Sequence, residues 1–288
     1  MSYKFIDLFA GIGGFHLGLS KVGMRCEFAS EIDKHARETY LLNHNLDESL
    51  FNDDIRKISP VDIPDHDILC AGFPCQPFSQ AGHKRGFEDK KNSKRGTLFF
   101  CIVDILKAKR PKAFILENVR HLIKHDNGKT FNVIKETLED LNYSIYYKVI
   151  KASEFGKPQH RPRIYIIGFD RTQVNESSNF EFPAPIPLRQ TMSDVWEGKC
   201  DREIGFTLRV GGRGSSINDR RNWDSYRVDG EVKRLQPRQG KRMMGIPDDF
   251  ILPKSITQAM KQLGNSVCVD VIEHLAYSMK LHLDKYSI

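Results

Sequence analysis

The stretch Gly72-Phe73-Pro74-Cys75-Gln76-Pro77-Phe78-Ser79 carries a sulfur nucleophile in a setting that could use it. An apolar run, Ile68 to Ala71, reads as a short buried strand, ended by Gly72 and Pro74 with Cys75 at its exit. In open α/β sheets ligands sit beyond the carboxyl ends of the strands, so a thiol there is placed for covalent chemistry. A lone cysteine in such a position is more often a half-buried structural thiol. A second reactive group argues for chemistry. Ala113-Phe114-Ile115-Leu116 reads as another buried strand, and Glu117 stands at its carboxyl end. Desolvation there raises a carboxyl pKa and suits a general acid. Further on, Gln159-His160-Arg161-Pro162-Arg163 offers two cations. Two arginines spaced by two along an extended chain point the same way and suit phosphate or base-carbonyl contact.

These groups need a frame. Lys4 to Phe9 reads as an apolar strand with one carboxylate, Asp7, inside it. The turn Ala10-Gly11-Ile12-Gly13-Gly14 follows, then a helical pattern through Leu17, Leu19 and Val22. This is how a nucleotide-binding α/β unit begins. The dinucleotide fingerprint is not met, because His16 and Leu17 stand where a third glycine should fall. A ligand close to the glycine backbone is therefore expected, without a pyrophosphate cradle. Cys26 to Ser30 makes a second strand with Glu31 at its end, about the separation at which an acid binds ribose hydroxyls. A helix over Asp33 to Asn43 follows, then Asp53-Asp54-Ile55, where an acid could accept from an adenine amino group. Leu98, Ile102, Ile105 and Leu106 mark a core helix stopped before Pro111. Phe131, Ile134, Leu138 and Leu141 mark another. Strands over Tyr143 to Ile150 and Arg163 to Phe169 complete the sheet. Gln262-Leu263-Gly264-Asn265-Ser266-Val267 is expected to open a last helix through Val271, Leu275 and Met279, its Gly-Asn-Ser turn offering donors to a ligand carboxylate.

Composition bounds the rest. The 288 residues are 40% hydrophobic and 28% charged, which fits one large globular domain with a smaller one attached. No apolar run is long enough to span a bilayer, and the start lacks a signal-peptide pattern. The six cysteines are scattered without metal spacing, so a reducing cytoplasm and no metal site are expected. The net charge of +7 is uneven: residues 1–82 hold seven Lys/Arg against twelve Asp/Glu, and residues 205–245 hold ten against four. A basic segment on a near-neutral body points to a polyanion met by one face, although charge alone leaves a solvated loop open. Gln80 to Gly96, with six basic residues, reads as a phosphate-contacting lid over the thiol. Pro183, Pro185 and Pro187 mark a linker into a region of little helical period. There Gly211 to Ser216 and Arg220 to Trp223 look like backbone- and base-contacting loops.

The order of these motifs is Asp-Leu-Phe-Ala-Gly-x-Gly-Gly, Gly-Phe-Pro-Cys-Gln, Glu-Asn-Val, Gln-x-Arg-x-Arg, a basic variable region and Gly-Asn-Ser-Val. That series resembles the cytosine-5 DNA methyltransferases, of the prokaryotic modification type, from residue 4 to about 280. The resemblance implies an α/β, Rossmann-like methyltransferase sheet over 1–180, completed by a C-terminal helix over about 262–288. A small, irregular, mostly β target-recognition lobe would fill 181–250. It implies S-adenosylmethionine, held by Phe9, Gly11, Ile12, Gly13, Gly14, Glu31, Ile32, Asp54, Ile55, Pro74, Leu98, Asn265, Ser266 and Val267. Catalysis falls to Cys75, Glu117, Arg161 and Arg163. The Cys75 thiolate adds to carbon 6 of a flipped-out cytosine while Glu117 serves ring nitrogen 3. Arg163 holds the cytosine carbonyl, and Arg161 the backbone or the lid. Double-stranded DNA would meet Ser79, Lys84, Arg85, Arg95, Arg209, Arg213, Ser215, Arg220 and Arg221. A cytoplasmic, nucleoid-associated monomer paired with a restriction endonuclease is the expectation.

One departure stands out: the stretch between the arginine-rich strand and Gly205-Phe206-Thr207-Leu208 is short beside most relatives. Recognition must then rest largely on 205–245. A tRNA cytosine-5 methyltransferase shares the catalytic parts, but the Cys-Phe-Thr signature of that branch is missing. A non-catalytic DNA-binding relative is disfavoured by the intact Cys75, Glu117 and Arg163, and an NAD-dependent oxidoreductase by the missing third glycine.

Overall fold

The computed structural model describes residues 2–74, 97–175 and 179–288. Cys75, Ser79, Lys84, Arg85 and Arg95 therefore lie outside the described residues. The first half alternates strand and helix: β1 (Lys4–Leu8), α1 (Gly14–Lys21), β2 (Arg25–Ser30), α2 (Lys34–Asn43), β3 (Phe51–Asn52), β4 (Ile68–Gly72), α3 (Thr97–Lys109), β5 (Ala113–Val119) and α4 (Lys129–Asp140). A hairpin pair, β6 (Tyr143–Ile150) and β7 (Arg163–Asp170), closes the sheet. The strand order is β3-β2-β1-β4-β5-β7-β6, parallel through β5, with β7 antiparallel to both neighbours.

Strand alternation sorts the core into two layers. Phe5, Ile68, Cys70, Ala113 and Ile115 face one side, covered by α1 and the C-terminal helix. Ile6, Leu8, Leu69, Ala71, Phe114 and Leu116 face the other, covered by α3 and α4. Asp7 stands fully buried in this frame, and burial pushes its carboxyl well above the ordinary range. The strand order reverses between β1 and β4, the switch point where open α/β sheets bind ligands. Loops leaving β1, β2, β4 and β5 therefore share one edge.

The remainder holds α5 (Met192–Trp196), a hairpin of β8 (Ser225–Val228) and β9 (Glu231–Arg234), α6 (Pro237–Met244), α7 (Ile256–Asn265) and α8 (Val269–Tyr286). Loops connect these pieces. Trp223, Tyr226, Leu208, Met192, Met243 and Leu263 pack a third cluster that reaches Ile12 and Ala36 of the first half. Trp223 is buried, and its indole N–H donates to Gly211 O at 3.0 Å, so this tryptophan builds the lobe.

Two expectations about elements are corrected. The first strand stops at Leu8, and Phe9 takes a left-handed φ of 56°. Gly264-Asn265 ends α7 and does not open a helix. The last helix starts after the turn, with Cys268 as its N-cap. The pattern through Val271, Leu275 and Met279 had hidden a preceding helix whose buried face is Ala259, Met260 and Leu263.

Candidate active site

Glu117 lies near the carboxyl end of β5, two residues before its last, because four apolar residues, Ala113 to Leu116, and their neighbours across the sheet bury the strand up to it. Its register partner on β4 is Gly72, three residues before Cys75. On the other side, β7 runs antiparallel and brings Arg163 to the same end. Arg163 Nε lies 2.9 Å from Glu117 Oε1, and both side chains are largely buried. Burial raises the Glu117 pKa, against the pull of Arg163 and Arg161. Arg163 Nη1 donates to Pro162 O at 3.0 Å, while Nη2 makes no hydrogen bond among the described residues. The arrangement is a carboxyl able to hold a proton beside a guanidinium with a donor to spare.

Asn118 was not foreseen as a working residue. It is buried, and its amide donates to Phe73 O at 2.8 Å, fixing the chain just before Pro74 and Cys75. A polar residue directly after an acid at the end of an apolar strand was the available signal.

The turn after β1 forms the second part of the site. Glu31 Oε2 accepts from Gly11 N at 2.8 Å and Oε1 accepts from Asp33 N at 2.7 Å. Each oxygen keeps a lone pair for a further donor. Gly11 has φ +56°, and a Cβ built there meets nothing within 4 Å. Gly13 and Gly14 serve differently. A Cβ on Gly13 would stand 2.1 Å from His44 Nε2, and one on Gly14 would stand 2.7 Å from Ser266 Oγ. These two glycines admit packing partners, and of the three only Gly11 has open space where a Cβ would stand. His44 Nε2 lies 3.0 Å from Ile12 O, and its ring stacks on His16 at 4.2 Å. Burial pulls the His16 pKa down to about 3 and lowers that of His44, so both are neutral props beneath the turn. Neither carried a sequence signal beyond its position.

The other predicted ligand contacts are mixed. Ile32 is 63% exposed beside Glu31, an apolar surface awaiting a partner. Asp54 is already engaged: Arg56 Nε and Nη2 donate to its two oxygens at 2.8 and 2.7 Å. Ile55 is buried in the core and Leu98 packs partly against it, as does Phe9. Pro74 and Asn265 are exposed, whereas Ser266 and Val267 are buried.

Arg161 does not match its expected role. It is 3% exposed, with φ +30°, so it is not on an extended chain in phase with Arg163. Its guanidinium donates to Leu208 O at 3.3 Å, to Gly264 O at 3.0 Å and to Ser266 O. Burial pulls its pKa down to about 10, which leaves it charged at neutral pH. It binds backbone, but the protein's own.

The basic residues of the second region divide likewise. Arg209, Gly212, Arg213, Gly214, Ser215, Asp219 and Arg221 line an open concavity of about 420 Å³. Arg209 and Arg220 are exposed. Arg213 is held inward, with Nε 3.5 Å from the fully buried Asp224 and Nη2 on Leu235 O. Arg221 forks onto Asp219 at 3.1 and 2.9 Å.

Comparison with known proteins agrees with this layout. The family model for C-5 cytosine-specific DNA methylases matches residues 3–211 and 202–281. The chain is 42% identical to type II methyltransferase M.NlaX of Neisseria lactamica, over 99% of this chain and 98% of that one. It is 38% identical to type II methyltransferase M.HhaI of Haemophilus parahaemolyticus, over 96% of this chain and 94% of that one. The solved structure of the S. pombe Dnmt2 methyltransferase superposes with a TM-score of 0.74 at 19% identity, covering 99% of this chain and all of that one, a likeness of fold.

Proposed function

The chain belongs to the C-5 cytosine-specific DNA methylase family, and from that premise we propose how its residues divide the work of methylating a cytosine in DNA. The reaction moves a methyl group from S-adenosylmethionine to carbon 5 of the base. The observation that carries the reading is the Glu117–Arg163 pair, which shares one sheet edge with the exit of β4 and with the Gly11–Glu31 turn.

The turn suits S-adenosylmethionine. Open space fronts Gly11, Glu31 has lone pairs for a ribose diol, and exposed Ile32 offers an apolar face for an adenine. Phe9 and Pro74 follow β1 and β4 on the same edge. Asp54 would have to share its carboxylate with Arg56. When bound, the cofactor supplies an electrophilic methyl group.

Carbon 5 of cytosine is a weak nucleophile, and the protein's residues change that. A base inside a duplex cannot be reached, so it must leave the stack. The Cys75 thiolate forms a bond to carbon 6, and the ring electrons displaced by that attack are met at nitrogen 3 by a proton from Glu117. Burial holds that proton on the carboxyl to higher pH than on an exposed glutamate. Arg163 Nη2 is the donor for the base carbonyl. After methyl transfer, loss of the carbon 5 proton to water and return of the nitrogen 3 proton to Glu117 expel Cys75 as thiolate and restore the ring. Residues 205–221 form the DNA-reading part, with Arg209 and Arg220 as exposed cations and Arg221 exposed but paired with Asp219. On this reading the catalytic unit spans 1–180 with 262–288, and 181–250 is the recognition lobe. Pairing with a restriction endonuclease fits the type II names of the relatives.

Bisulfite sequencing of DNA from cells expressing the protein tests the assignment. Protected cytosines confined to one short sequence are expected, and uniform conversion overturns it.

A further inference from the structure

The segment that delivers Arg163 also docks a second piece of chain. Gly205 N donates to Pro158 O at 2.9 Å, and His160 N donates to Gly205 O at 3.1 Å. Leu208 N donates to Gln159 Oε1 at 2.9 Å, and Arg161 N donates to Thr207 Oγ1 at 3.0 Å. Gln159 is fully buried and passes its amide on to Met243 O at 3.1 Å. Residues 205–208 are thus laid along 158–161 by these bonds, and Arg209 is the next residue out, on the basic concavity.

Arg161 then joins this segment to the turn beside the cofactor site. Its guanidinium donates to Leu208 O on one side and to Gly264 O and Ser266 O on the other. The approach is close: a Cβ on Gly264 would stand 2.7 Å from the Arg209 carbonyl. From there α7 runs back to the other half of the cofactor edge. Thr39 Oγ1 donates to Gln262 Oε1 at 3.1 Å, Lys261 Nζ lies 2.7 Å from Asp33 Oδ2, and Asp33 N donates to Glu31. Contacts run without a break from Glu31 to Arg209.

We infer that Arg161 is a positioning residue that couples the cofactor site to the DNA-reading segment. This rests on the assignment of those two sites made above. A buried guanidinium is costly to leave without acceptors, so the two segments it joins must hold their places together. A ligand that orders the joint from one side lowers the ordering cost for the ligand on the other, and such linkage is reciprocal.

The test uses the full chain, S-adenosylhomocysteine and a duplex carrying the site found by bisulfite sequencing. Calorimetry gives the cofactor-product Kd with and without saturating duplex. The wild-type duplex is expected to tighten binding by about tenfold, within the usual range of coupling between sites. Arg161→Lys keeps a charge but not the fork, and should bring that ratio to within about twofold of unity. Thr207→Val, which removes only the hydroxyl that accepts from Arg161 N, should lower the ratio by less and serves if the lysine variant does not fold. In Thr207→Val the single-turnover rate at saturating ligands should stay within about threefold of wild type, as for a contact that acts through binding. An unchanged ratio in the variants overturns the inference. So does a collapse of the single-turnover rate with the ratio intact, which would make Arg161 a catalytic residue. Wild-type protein that binds both ligands without coupling overturns this inference alone; wild-type protein that binds neither overturns the site assignments as well.

Discussion

Replacing Arg163 with methionine separates the electrostatics of the site from its packing. The substitution keeps a side chain of similar length and removes the charge beside Glu117. Side-chain exposure is 14% for Arg163 and 11% for Glu117, so the pair counts as buried and its loss is not a surface effect. Breaking a buried pair by removing one partner costs about 3–5 kcal/mol. That cost applies only while Glu117 is ionised. Burial already raises its pKa in the wild type, and Arg163 is the largest influence pulling the other way. Without the arginine the folded-state pKa rises further. Between the wild-type and variant values, the folded variant holds a proton that both the folded wild type and the unfolded chain have released. In that window the variant loses about 1.4 kcal/mol of stability per pH unit relative to wild type. The deficit is therefore smallest in acid, grows as pH rises, and levels off above the variant's pKa. Urea denaturation of both proteins at about one-unit steps from pH 5 to pH 8 measures it. A deficit that is equal at every pH, or below about 1 kcal/mol at the alkaline end, refutes the claim that Arg163 stabilises a buried carboxylate.

Other outcomes follow from the same geometry. Glu117→Gln should slow methyl transfer by about 10²–10⁴-fold in single-turnover assays. It should also lower stability at pH 8, because the buried Arg163 cation loses its carboxylate partner; unchanged stability there contradicts the pairing. Gly13→Ala should lower the melting temperature more than Gly11→Ala, since its Cβ would enter the His44 ring. Gly11→Ala should instead show its main effect as weaker S-adenosylhomocysteine binding in calorimetry. Arg209→Ala should weaken DNA binding and reduce the salt slope by about 1, with no change in melting. Arg213→Ala should cost about 3 kcal/mol or more, because it strips the buried Asp224 of its cation; equal melting temperatures for the two variants would sink that distinction.

The sheet was readable because its strands are apolar runs ended by glycine, proline or a lone acid, and such runs have one way to be buried. Glu117 and Glu31 were readable for the same reason: each is the first charged residue to follow a run of buried residues, Ala113 to Leu116 and Phe28 to Ser30. What the motifs did not reveal is which member of each faces outward. In Gln159-x-Arg161-x-Arg163, Arg161 turns inward because φ +30° takes it out of the strand's alternation, a backbone choice that residue spacing cannot express. Within the glycine turn, the roles of Gly13 and Gly14 depend on His44 and Ser266, which come from distant parts of the chain. The Gly264-Asn265 turn was placed at the wrong end of a helix because a good N-cap sequence also closes a helix whose last carbonyls find partners elsewhere, here on Arg161.

The covalent step is the centre of the account, and one experiment addresses it directly. A duplex bearing 5-fluorocytosine at the target position, incubated with the enzyme and S-adenosylmethionine, should trap an adduct, because the fluorine cannot leave as a proton does. Peptide mass spectrometry should find that adduct on Cys75, and Cys75→Ser should form none while still binding S-adenosylhomocysteine. No adduct with the wild-type enzyme under conditions where ordinary cytosine is methylated, or an adduct on another residue, contradicts the mechanism.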